Sequence, residues 1–70
     1  MTKVLSVADM TANVERSRGH IMKQEAIIAR LAQQGHDAMA DEASGILVTM
    51  HEHLASEVEM LARMQREADS

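Results

Sequence analysis

The groups in this 70-residue chain that could do chemistry are few: four histidines, eleven carboxylates and seven lysines or arginines, with no cysteine. The set worth weighing is His20, His51 and His53. Imidazole nitrogens joined by a carboxylate bind zinc, copper or nickel, and Met22 and Met50 lie near enough in level to add soft sulfur ligands. His51 and His53 are two residues apart, so on a helix they point about 200° away from each other and cannot both face one ion. Metal or small-ligand binding at His20, His51 and His53 is therefore a candidate chemistry, set against three histidines at the edge of a helical bundle. His36 falls at the centre of a turn and reads as a solvated loop residue. No Gly-rich phosphate loop, nucleophile elbow or supported pair of acids is present. The expectation is a protein that is not an enzyme and carries no cofactor.

Arg16, Lys23 and Arg30 recur at spacing seven and could lie along a phosphate backbone. Glu15 interrupts them, and the net charge of −4 disfavours general phosphate binding. Phe, Tyr and Trp are absent, which removes the stacking platforms that hold single strands. A nucleic-acid partner ranks low, and the row reads as a solvated face. With seven methionines and no aromatics, the core must be aliphatic, with Met filling its gaps.

The elements that position these groups follow from spacing. Ser6-Val7-Ala8-Asp9 has the form of a helix start, a Ser cap with an acid three residues on. Val7, Val14, Ile21 and Ile28 then recur at seven, each followed three residues later by Met10, Ser17, Gln24 and Leu31. This is the seam of a coiled-coil-like helix over about 7–34. Gly35 can end it in a left-handed conformation, and Asp37 can cap the next helix. In the second helix, about 38–67, Ala40, Leu47, Leu54, Leu61 and Ala68 recur at seven, with Ala43, Met50, Glu57 and Met64 three later. Gly45 lies on its outer face without interrupting the repeat. Met1 to Leu5 reads as a loose tail. The fold class is all-α: one domain over residues 1–70, a two-helix antiparallel hairpin with its turn at 35–37.

Such a hairpin sets residues level when their numbers add to about 72. Ser17 and Arg18 then stand near Leu54 to Glu57. Arg18 is the expected partner of Glu57, the carboxylate in the seam, since a half-buried charge requires one. Residues 1–36 carry five basic and three acidic groups, net +2, and residues 37–70 two basic and eight acidic, net −6. Opposite charge favours the pairing of the two halves. Ile27, Ile46, Val48 and Met60 are expected on a side left open by the hairpin. A chain this short is marginal alone, so closure against a second copy, giving a homodimeric four-helix bundle, is the expected architecture. No run approaches a membrane span and no secretory signal is visible, so the expected location is cytoplasmic.

His20-Ile21-x-x-Gln24-x-x-x-Ile28-x-x-Leu31, then Gly35-His36-Asp37, then an Ala-rich start to a Leu/Met-patterned helix, resembles a set of short uncharacterised alphaproteobacterial helical-hairpin proteins. In that set an HI-x-x-Q segment leads through a helix to GHD and a second amphipathic helix. The likeness spans about residues 14–62, and Ala38 stands where that pattern has Thr. The resemblance implies an architecture and no reaction. The function expected is that of a small interaction or regulatory module acting through protein–protein contacts, with itself or with a protein of unknown identity.

Overall fold

A computed structural model describes residues 6–69; the tail expected at Met1 to Leu5 lies outside them. The chain forms two helices, α1 (Val7–Gln33) and α2 (Asp37–Asp69), packed against each other as a hairpin. None of the described helices is long and apolar enough to cross a membrane.

α1 starts as its sequence asks. Ser6 Oγ accepts from the Asp9 N–H at 3.1 Å, and Asp9 Oδ2 accepts from the Ser6 N–H at 3.2 Å. Two helix-start donors are thereby satisfied reciprocally. α1 ends at Gly35, whose φ of 78° is the left-handed value glycine adopts freely. The Gly35 N–H donates to the Ala32 carbonyl at 3.1 Å and the His36 N–H to the Leu31 carbonyl at 2.9 Å. This double bond pattern is the Schellman closure, and it satisfies carbonyls the helix would leave bare.

Asp37 is not the cap of α2 that its residue type suggested. It lies inside the first turn of the helix, and among the described residues its side chain makes no hydrogen bond. His36 takes the preceding place, its carbonyl accepting from the Ala40 N–H at 2.9 Å. Gly35 reverses the chain so sharply that one residue suffices before helical geometry resumes. Asp37 contributes its charge at the positive end of the helix dipole instead. α2 then runs unbroken through Gly45 for 33 residues.

The seam read from spacing is the packed surface. Met10, Val14 and Ile21 of α1 and Ala40 and Ala43 of α2 are buried. Ser17, Gln24, Ile28, Leu31, Leu47, Met50, Leu54, Glu57, Leu61 and Met64 are half-buried. Two small alanines beside the turn let the backbones approach there, and larger residues fill the seam farther from it.

Candidate functional site: a polar seam cluster and an open apolar row

Near the middle of the seam, three polar side chains meet. The Ser17 hydroxyl donates to Glu57 Oε1 at 2.5 Å. His53 Nε2 stands 3.6 Å from the same oxygen. The four-residue spacing of His53 and Glu57 places them one helical turn apart on one face. The Glu57 side chain is only 14% exposed and that of His53 71%, so the imidazole sits between the carboxylate and water. Closer to the turn, Gln24 Nε2–H donates to the Ala43 carbonyl at 3.0 Å. These two cross-helix hydrogen bonds tie α1 to α2 at separate levels.

Arg18 does not partner Glu57. It is exposed, and among the described residues it forms no ion pair. The expected level was correct and the direction was not. Ser17 projects into the seam, whereas the next residue is turned about 100° onward, toward the flank. A short hydroxyl reaches the carboxylate directly and donates to it. The sequence signal for the rest of the cluster was the spacing of four between His53 and Glu57.

Ser17, Glu57 and His53 are residue types known from nucleophilic catalysis, but in another order. There a histidine takes the proton of the serine and a carboxylate orients the histidine. Here the carboxylate lies between the other two, and the imidazole does not touch the hydroxyl. No cavity adjoins the cluster among the described residues. What the arrangement can do is hold the register of the two helices.

The three candidate metal ligands are all exposed. Among the described residues no three histidine or acidic groups converge where an ion could be held. His51 leaves α2 on one flank and His53 on the other, as their spacing requires. His20 falls on the same flank as His53, since reversing one helix on another brings equivalent positions of the two seven-residue repeats to the same side.

The same geometry sorts the exposed large apolar residues, Met22, Ile27, Met39, Ile46, Val48, Val58 and Met60. Ile27 of α1 and Met39, Ile46 and Met60 of α2 share the flank of His20 and His53, in the rows next to the seam. They extend the buried stripe outward, with His20 and His53 set among them. Met22, Val48 and Val58 belong to the other flank, where Arg18, Glu25, Ser44 and His51 occupy most of the row beside the seam. Val48 therefore parts from Ile27, Ile46 and Met60, with which the sequence had grouped it. Two residues on from Ile46, it faces about 200° away.

No protein-family model matches this chain, and no curated protein or solved structure matches it.

Proposed function

We propose that this chain is a small, non-enzymatic helical module that works through protein–protein contact and associates with itself, two hairpins forming a four-helix bundle. The observation that supports this reading is the open row of Ile27, Met39, Ile46 and Met60 beside the seam. Exposed large apolar side chains gathered on one flank mark interaction sites in folded proteins. The stripe it completes is the wide one of a bundle helix, which needs a neighbour on two sides. The thinness of the core points the same way, because among the described residues no side chain is fully buried. A chain of 70 residues without disulfides gains its missing burial most directly from a second chain.

Sedimentation equilibrium at micromolar concentration tests the reading. The expected mass is twice the 7.7 kDa of the chain. A fully helical monomer persisting at high micromolar concentration would overturn it.

A further inference from the structure

Resting on the self-association proposed above, we infer which face meets the second copy and how the copies are oriented: the flank of Ile27 and Ile46 packs on itself about a two-fold axis parallel to the helices, with both turns at one end.

The face is selected by the exposed apolar residues it gathers beside the seam. The rows next to the seam on this flank read Asn13, His20, Ile27 in α1 and Met39, Ile46, His53, Met60, Glu67 in α2. On the other flank the row beside the seam is polar apart from Ala32 and Val58, and Met22 and Val48 lie beyond it. The hairpin measures 52 × 21 × 18 Å. A broad face of that outline presents on the order of 1,000 Å², against about 800 Å² per partner in a standard interface.

The orientation is selected by level and charge. Two hairpins can stack about a two-fold axis in only two ways. With turns at opposite ends, α1 lies on α1 of the other copy, antiparallel. Arg16 then meets Lys23 of the other copy, and Ile27 is carried toward polar Asn13. With turns at the same end, α1 lies on α2 of the other copy at the levels they already share within a hairpin. Ile27 then meets Ile46, Asn13 meets Met60, and His20 meets His53, each across the copies. The next rows outward border this interface. There Arg30 comes level with Glu42 of the second copy and Asp9 with its Arg63, which also pairs with Glu59 in its own helix at 3.7 Å. Arg16 and Lys23 face Ser56 and Thr49. Both charged pairs are opposite in sign and no like charges meet, whereas the other orientation sets Arg16 against Lys23, so this one complements a second copy better.

The chain has no cysteine of its own, so His36→Cys gives a single labelling site in the turn. Double electron–electron resonance on the spin-labelled dimer reads the orientation. Turns at the same end put the labels within the width of a four-helix bundle, about 25 Å; a separation near the 52 Å length of the hairpin would overturn the inference. The face is read by a matched pair, since Ile46 and Val48 are 56% and 57% exposed. Ile46→Glu should raise the dimer dissociation constant at least tenfold, and Val48→Glu should leave it within about twofold, with helicity kept in both. The reverse ranking would assign the contact to the other flank. Arg30→Glu should weaken the dimer and Glu42→Arg added to it should restore it; no restoration would overturn the pairing. A monomeric wild-type chain would sink the self-association itself, whereas a dimer with distant labels would sink only the orientation.

Discussion

The two helices share one seam and fare differently in it. α1 buries three sizeable side chains, Met10, Val14 and Ile21, whereas α2 buries only Ala40 and Ala43. The leucines and methionines of the α2 seam stay half-buried. Five of the seven exposed large apolar residues also belong to α2: Met39, Ile46, Val48, Val58 and Met60. α1 is thus the covered helix and α2 the presenting one. A hairpin can shield one amphipathic helix with another only where the two stripes overlap, and the stripe of α2 is the wider. Charge follows the same division, since α2 carries most of the acidic groups and the basic row lies on α1.

The sharpest way to break this comparison is to remove buried volume from each helix at one level. Ile21 and Leu54 lie nearly opposite. Ile21→Ala should cost about 2–5 kcal/mol of unfolding free energy, the range for a buried aliphatic truncated to Ala. Leu54→Ala should cost clearly less, because part of that side chain already meets water. Urea denaturation followed by circular dichroism measures both, and equal costs would erase the difference between the helices.

A smaller effect separates the partners of the polar cluster. Ser17→Ala leaves the mostly buried carboxylate of Glu57 without its hydroxyl donor and should cost about 1–3 kcal/mol. Glu57→Leu removes the charge together with its need for a partner, and should leave the melting midpoint unchanged or higher. A lower midpoint for Glu57→Leu would mean that the carboxylate contributes net stability as well as register.

The glycines give the smallest shifts, opposite in sign. A Cβ at Gly45 meets nothing within 4 Å, so Gly45→Ala should stabilise α2 by up to about 1 kcal/mol through helix propensity. Gly35→Ala finds the same open space but must hold φ near 78°, and should destabilise by about 1 kcal/mol. Thermal melts at one fixed concentration compare the two.

Spacing alone carried the hairpin, because the packed surface depends on which residues recur at seven, and every such position from Met10 to Met64 is buried or half-buried. Ser6 and Gly35 carry local rules strong enough to read without a structure. Two of the failures share a cause. Arg18 for Ser17, and Val48 placed beside Ile46, are errors of direction at a correct level. A count along the chain fixes height, but a side chain one or two residues away faces another side entirely. Asp37 was displaced for a different reason, since the tightness of the glycine turn decided where helical geometry resumed. The histidines were legible as edge residues, and their dispersal over two flanks follows from the spacing of His51 and His53.

The turn at Gly35 has one more consequence, which concerns phase. Were residues 34–36 helical, α1 and α2 would merge into one rod. Ala40 follows Ile28 by twelve residues, and Ala43 follows Leu31 by the same interval. On a continuous helix, twelve residues rotate the apolar stripe by about 120°. The merged rod would then carry two half-length stripes on different sides, and no single straight partner could cover both. Two chains that opened their turns to exchange helices would meet this mismatch at once. The phase break written into the sequence across the turn thus favours folding back over opening out, independently of the glycine that makes the reversal possible.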